Sequence, residues 1–437
     1  MSRNEKRSLV PRLRFPEFQR KGEWKIVPMG SLLTRTPEYG VNAPAVPYSE
    51  NLPTYLRITD INDDGSFISD SRVSVDIVAT DDNYLEMGDI VLARTGASVG
   101  KSYRYRKEDG QLVFAGFLIR IRPDAKKINP VYLANFLTTQ QYWNWVGVTS
   151  ARSGQPGING TEYSSLPVPV PSSGVNEAGL FEQQKIADCL SSLDDLIAAE
   201  TQKLDTLATH KKSLMQQLFP REGETVPRLR FPEFCGAAEW AVKELAEVCN
   251  VLQGYGFPEV MQGRSDGKYP FCKVSDISRA VAERGSRLFE AANYVGDDDL
   301  LKLRAKLIPK GTTVFAKIGE ALRLNRRAYV QKECLIDNNA TGLKAIDGIS
   351  DDYFIYLLSQ LIDLNKHCGG AVPSVNKSTL EGIEVIVPGL DEQKKISKNL
   401  SYLDDLIGTQ SQKIDILKVH KNGLMQQLFP AITWSEQ

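Results

Sequence analysis

Two stretches of the chain repeat apolar residues at alternating steps of four and three. The first carries Ile186, Leu190, Leu193, Ile197, Leu204, Leu207, Leu214 and Leu218, and the second carries Ile396, Leu400, Leu403, Ile407, Ile414, Leu417, Leu424 and Leu428. This is the heptad period, and it predicts two long helices with one apolar stripe each. A single-striped helix is marginal alone in water, so each needs a partner stripe, and the simplest partner is the other helix. Glu200 and Lys211 interrupt the first stripe, and Gln410 and Lys421 interrupt the second at the same places. Polar seam residues cost stability but can fix register; a helix edge turned to solvent explains them equally well.

The two helices are copies. Residues 182–220 and 392–430 align without a gap at about 24 of 39 positions, and VPRLRFPEF stands both at 10–18 and at 226–234. An internal repeat of this kind sets the whole architecture. Upstream of each helix lies a block that opens on a tryptophan, Trp24 or Trp240. YLRITDIND (55–63) is echoed by YPFCKVSDI (269–277), and LEMGDIVLARTG (85–96) by KLIPKGTTVFAKIG (306–319). NPVYLANFLTTQQYW (129–143) and SDDYFIYLLSQLI (350–362) read as capped apolar helices. INGTEYSSLPVPVP (158–171) and VNKSTLEGIEVIVP (375–388) read as a helix start running into a short strand. Short strands with Gly and Asp turns, closed by a helix, predict an α+β fold.

The chain therefore divides into an N-terminal segment (1–23), a globular block (24–179) and a central helix (180–220). A linker with the second VPRLRFPEF (221–239), a second block (240–389), a C-terminal helix (390–430) and a tail (431–437) follow. Pro220 ends the first helix. If the helices run antiparallel, Pro430 comes near Val10, so the termini reproduce in space the junction that is covalent between Pro220 and Val226.

Composition narrows the picture by exclusion. The 437 residues are 42% hydrophobic and 24% charged, ordinary for a globular protein of two or three domains. No apolar run reaches membrane-span length and no secretory segment opens the chain, so the expected location is the cytoplasm. The cysteines at 189, 235, 249, 272, 334 and 368 show neither CxxC spacing nor a Cys/His pattern of metal-ligand spacing, and read as small, mostly buried hydrophobes. Net charge is −1, yet charge is segregated: residues 94–127 hold nine basic and three acidic residues, and 302–332 hold nine and one. Recurrence in both halves points to nucleic acid beyond the ordinary reading of a solvated face.

Catalytic motifs fare poorly. RTGASVGKS (94–102) has three residues between Gly96 and Gly100 where a phosphate-binding loop has four, and the second half has KIGEALRLN instead. NPVY (129–132) reads as an N-cap asparagine with proline at the first helical position. Only three histidines exist, two of them repeat-related on the helices, so general-base chemistry has few candidates.

The helices EQQKIADCLSSLDDLI (182–197) and EQKKISKNLSYLDDLI (392–407), each closing a divergent block, resemble the specificity subunits of type I restriction–modification enzymes. The LFP ends and the VPRLRFPEF segments look closest to the subgroup called type IC. The resemblance covers essentially the whole chain. It implies two target recognition domains separated by two long antiparallel coiled-coil helices, a pseudo-twofold internal repeat. It implies a non-catalytic, sequence-specific DNA-binding subunit for double-stranded DNA, each domain reading one half of a bipartite, asymmetric target. Two methyltransferase subunits would bind S-adenosylmethionine and methylate adenine; two motor-nuclease restriction subunits would use ATP and Mg²⁺. This chain would hold no cofactor or metal of its own. A helix from 186 to 218 is roughly 50 Å long at about 1.5 Å per residue, enough to act as a ruler over one turn of duplex, about 34 Å.

The candidate DNA contacts are Arg94, Lys101, Arg104 and Arg106 with Arg152, Ser153 and Gln155 in the first block. In the second they are Lys317, Arg323, Asn325 and Arg326 with Ser374, Asn376 and Lys377. Cations hold phosphates, while Gln155, Asn325 and Asn376 are suited to base edges. Arg57, Thr59, Asp60, Lys273, Ser275 and Asp276 form a second tier. The competing readings are a nucleotide-hydrolysing enzyme built on Gly96 and Lys101, and a coiled-coil scaffold without DNA function.

Overall fold

The computed structural model describes residues 9–62, 64–151, 155–171, 177–370 and 372–432. It falls into two compact units, residues 1–198 with 415–437 and residues 199–414. The predicted helices are Glu177–Leu218 and Leu390–Leu428. Each unit thus takes the start of one long helix and the end of the other.

In the first unit, strands Lys25–Pro28 and Pro167–Val170 pair antiparallel and close the globular block on itself. Between them lie two four-stranded sheets. One runs Glu38–Tyr39, Leu118–Ile121, Ile90–Ala93, Ser102–Arg104; the other runs Ala45–Pro47, Val73–Val75, Thr54–Leu56, Leu112–Phe114. The central strand Ile90–Ala93 is buried on both faces, as its unbroken apolar run requires. Helix Pro130–Phe136 starts on Asn129, whose Oδ1 accepts the Val131 and Tyr132 amides at 2.8 and 3.0 Å. The predicted single helix over 129–143 is in fact two, because Thr139 stops the first and caps Gln140–Ser150.

The second unit repeats this plan. Ala241–Glu244 pairs with Glu384–Val387. A five-stranded sheet runs Cys249–Gln253, Ala340–Ala345, Thr313–Ala316, Ala328–Val330, Arg287–Leu288, and a three-stranded sheet runs Asn293–Val295, Tyr269–Cys272, Leu335–Ile336. Asp351 caps helix Asp352–Leu361 as Asn129 caps its counterpart.

The helix ends act as plugs. Phe429 is buried with its ring 5.1 Å from Tyr132 and 5.8 Å from Phe136; in the other unit Phe219 lies 5.4 Å from Phe354 and 5.8 Å from Trp240. The LFP of each helix therefore completes the core beside the opposite repeat's block. At the helix starts, Arg14 grips Glu182 through Nε and Nη2 at 2.7 and 2.9 Å, and Arg230 grips Glu392 at 2.8 and 2.7 Å. The adjacent glutamines, Gln183 and Gln393, accept the N-cap amides of Asn129 and Asp351 at 2.8 and 3.1 Å. The EQ pair is thus a staple: glutamate holds the VPRLRFPEF segment, and glutamine holds the start of helix Pro130–Phe136 or Asp352–Leu361.

Within each unit the helices run antiparallel. The interrupting residues face the seam and find partners: Lys211 meets Asp404 at 2.7 Å, and Lys421 meets Asp194 at 2.6 Å. Glu200 accepts from its own repeat equivalent, Gln410, at 2.6 Å, and also pairs with Lys413. The solvent-edge reading of these positions is thereby set aside. Leu13 donates its amide to the Gln427 carbonyl at 3.0 Å, and Leu229 to that of Gln217 at 2.9 Å. The terminal contact does reproduce the covalent junction. The cysteines only partly follow expectation: Cys249, Cys272 and Cys334 are buried, Cys189 and Cys368 are half-buried, and Cys235 is exposed.

Candidate nucleic-acid interface

The basic turn and the loop before the last short helix are far apart in sequence, yet both units bring them together. Gly96 donates to Pro156 O at 3.0 Å and Ile158 to Arg94 O at 2.9 Å; Gly319 donates to Pro373 O at 2.8 Å and Val375 to Lys317 O at 3.0 Å. Arg94 and Gln155 share one edge of the first unit: a Cβ on Gly96 would lie 3.3 Å from Gln155 Nε2. The Arg94 guanidinium sits 4.9 Å over the half-exposed ring of Tyr39. Lys101 closes the same turn, its amide bonded to Ser98 O at 3.0 Å. Arg104 and Arg106 do not join this cluster. Arg104 pairs with Ile90 at the far end of the hairpin, where burial lowers its pKa. Arg152 and Ser153 lie outside the described residues.

In the second unit Lys317, Ser374, Asn376 and Lys377 line one depression of about 230 Å³, together with Gln253 and Asn338. A neighbouring depression of about 400 Å³ shares Lys377 and adds Lys306 and Lys344. Lys317 donates to Gln253 Oε1 at 2.7 Å, and burial lowers its pKa while Asp337 acts the other way. Arg323 is exposed beside Glu320, and Arg326 is half-buried. A rim of lysines around amide side chains suits a phosphate backbone outside and base edges within.

Several candidate readers are spent on the fold. Asn325, in the left-handed region at φ 51°, donates to Ile362 O and accepts the Leu364 amide, both at 3.2 Å. Asn376 caps helix Lys377–Glu381, as Asn159 caps Gly160–Ser165. Asp60 is buried, accepting the Arg57 amide at 2.8 Å and its guanidinium at 2.7 Å. Asp276 does the same for the Lys273 amide at 2.9 Å. Of the second tier, Thr59 and Ser275 stay exposed, while Lys273 stands 5.4 Å over Phe257. Gln253, Asn338 and Tyr39 carry no motif that singles them out in sequence; only pairing across the sheet places them here.

The nucleotide-loop reading fails on geometry. Gly96–Ser98 is a single 3₁₀ turn, and strand Ser102–Arg104 follows where a phosphate-binding helix would start. Among the described residues no three His, Cys, Asp or Glu side chains gather as a metal site, and no helix is long and apolar enough to cross a membrane.

Comparison with known proteins agrees with this frame. The profile described as type I restriction modification DNA specificity domain matches twice, over residues 36–209 and 237–419. A putative type I restriction enzyme MjaX specificity subunit from Methanocaldococcus jannaschii is 26% identical over 356 residues, covering 79% of this chain and 78% of that one. The EcoR124I/EcoR124II specificity subunit of Escherichia coli is 22% identical over 253 residues, covering 56% and 57%. The solved S subunit of a type I system from M. genitalium covers 97% of this chain and 100% of its own at 15% identity, with a TM-score of 0.59. A chain from a study of type I R-M complex assembly covers 93% and 98% at 13% identity, with a TM-score of 0.52. With its two matched regions and its two-unit fold, the chain belongs to the family of type I restriction–modification specificity subunits.

Proposed function

We infer that this chain supplies DNA recognition to a type I restriction–modification complex. Each unit reads one half of a bipartite, asymmetric duplex target, and partner subunits carry out adenine methylation and restriction. The observation that carries this reading is the doubled DNA-specificity match, laid on two units with one backbone plan and different exposed side chains. Two methyltransferase subunits dock along the paired helices, and two motor-nuclease subunits complete the assembly. S-adenosylmethionine, ATP and Mg²⁺ belong to those partners, and no chemistry is assigned to this chain. The type IC affinity rests on the VPRLRFPEF and LFP segments alone.

Selection from a random duplex pool tests the reading, using the chain purified with its methyltransferase partner. Enriched duplexes carry two fixed segments separated by a constant unspecified gap. Enrichment of no sequence over the starting pool supports the scaffold reading instead.

A further inference from the structure

The turn between strands Leu112–Phe114 and Leu118–Ile121 and its counterpart between Leu335–Ile336 and Ala340–Ala345 are held in the same way in both units. In the first, Leu118 donates to Ala115 O at 2.8 Å, Val41 to Phe114 O at 2.8 Å, and Arg94 to Phe117 O at 3.1 Å. In the second, Ala340 donates to Asp337 O at 3.0 Å, Tyr255 to Ile336 O at 2.9 Å, and Lys317 to Asn339 O at 2.8 Å. The parallel bridges Val41 to Ala115 and Tyr255 to Asp337 match as well. Residues 115–118 and 337–340 are therefore structural equivalents. The preceding segment presses on each turn so closely that only glycine fits: a Cβ on Gly40 would stand 2.3 Å from the Phe114 and Ala115 carbonyl oxygens, and on Gly254 1.8 Å from Asp337 O.

On this shared backbone the side chains differ completely. The first turn presents Gly116 and Phe117, the second Asn338 and Asn339, and Phe117 is 60% exposed. Phe117 is a large apolar group left in water on a rigid support, next to Arg94. Asn338 lines the depression that holds Lys317 and Lys377. Burial raises the pKa of Asp337, whose Oδ1 accepts the Asn339 amide at 3.2 Å, so the tip is braced from inside. A fixed backbone with interchangeable tip residues beside a basic residue is what position-specific reading of a major groove requires.

We propose that these two turns are specificity-determining elements, Asn338 and Asn339 reading an adenine in one half-site and Phe117 contacting a thymine methyl in the other. Amide side chains match the adenine N6/N7 edge, and an apolar side chain matches the thymine methyl. The proposal rests on the DNA-recognition reading above. Lys317 and Arg94, whose amides bond the turns, anchor phosphate and set the depth at which the tips meet the bases.

The test is base-resolution mapping of methylated adenines in cells expressing the full chain with its methyltransferase partner. Wild type is compared with Phe117→Ala and with Asn338→Ala plus Asn339→Ala. Each variant relaxes an A·T requirement in one half-site only, the two variants acting on opposite halves, with discrimination at that position falling roughly ten- to a hundred-fold. The substituted side chains are exposed, and a thermal melt of each purified variant that overlays wild type separates reading from folding. An unchanged motif at every position in both variants, or a uniform fall in methylation at an unchanged motif, overturns this proposal while leaving the DNA-recognition reading intact. Absence of any two-part motif from the wild-type complex overturns that reading and this one together.

Discussion

Replacing Arg14 by alanine tests whether the staple at the helix start carries stability. Arg14 and Glu182 are buried, and two of the guanidinium nitrogens bind both carboxylate oxygens. Removing the arginine strands a buried carboxylate, and breaking a buried pair in this way costs about 3–5 kcal/mol. The carbonyls of Lys21 and Gly22, which Arg14 also binds, belong to exposed residues and regain water, so they add little. The second unit supplies an internal control, because Arg230 and Glu392 form the same staple there. Hydrogen exchange offers matched reporters: the Trp24 amide bonded to Leu9 O at 2.7 Å, and the Trp240 amide bonded to Thr225 O at 3.0 Å. In Arg14→Ala the Trp24 amide exchanges about 10²- to 10⁴-fold faster than in wild type, while Trp240 is unaffected. Pairing Arg14→Met with Glu182→Leu recovers most of the loss, since no charge is then stranded. Equal acceleration at Trp24 and Trp240, or a double variant as labile as the single, refutes the argument.

Three further outcomes follow from the helix pair. Hydrogen bonding from Gln410, then from Lys413, holds the Glu200 carboxyl below its ordinary pKa. A depressed folded-state pKa gives stability that is present above the unfolded value and lost as pH falls through the folded one. The melting-temperature advantage of wild type over Glu200→Gln should therefore be present at neutral pH and gone below the glutamate range; an advantage that grows on acidification contradicts it. A permuted chain opened at Gly223, with Pro430 joined to Val10 by a short flexible linker, should keep the wild-type circular dichroism melt and still bind methyltransferase, because Leu13 and Gln427 already bond; a permuted chain that melts early or does not bind sinks this. Finally, Glu200 and Gln410 are repeat equivalents that face each other across the seam. Inserting seven residues at both Glu200 and Gln410 adds about 10 Å of helix. The expected methylation map shows a gap about three base pairs longer between unchanged half-sites, at about 3.4 Å per pair; altered bases within the half-sites argue against the ruler.

The long helices were legible because their period is written in the chain itself. No seam position from Ile186 to Leu218 or from Ile396 to Leu428 is fully exposed, since heptad spacing alone decides which face meets a partner. The helix start at Asn129 and Pro130 was legible for a local reason, capping chemistry. What the EQ pair does was not, because Glu182 and its partner Arg14 are 168 residues apart. The candidate site was legible in outline: the basic turn and the second loop meet in both units. Its members were harder to choose. Asn325, Asn376, Asp60 and Asp276 are short polar side chains of the type that reads bases, but the same chemistry satisfies nearby backbone, and the fold uses them for that. Phe117 and Asn338 escaped notice because their significance lies in sheet pairing between distant strands, which no local pattern encodes.

The most direct test of the central claim is a genome-wide map of methylated adenines in a host lacking its own adenine methylation, expressing this chain with its methyltransferase partner. Two units reading separately predict one asymmetric motif of two short fixed segments, separated by a gap of constant length and unspecified bases. A single continuous motif, or adenine methylation with no sequence preference, would contradict the account.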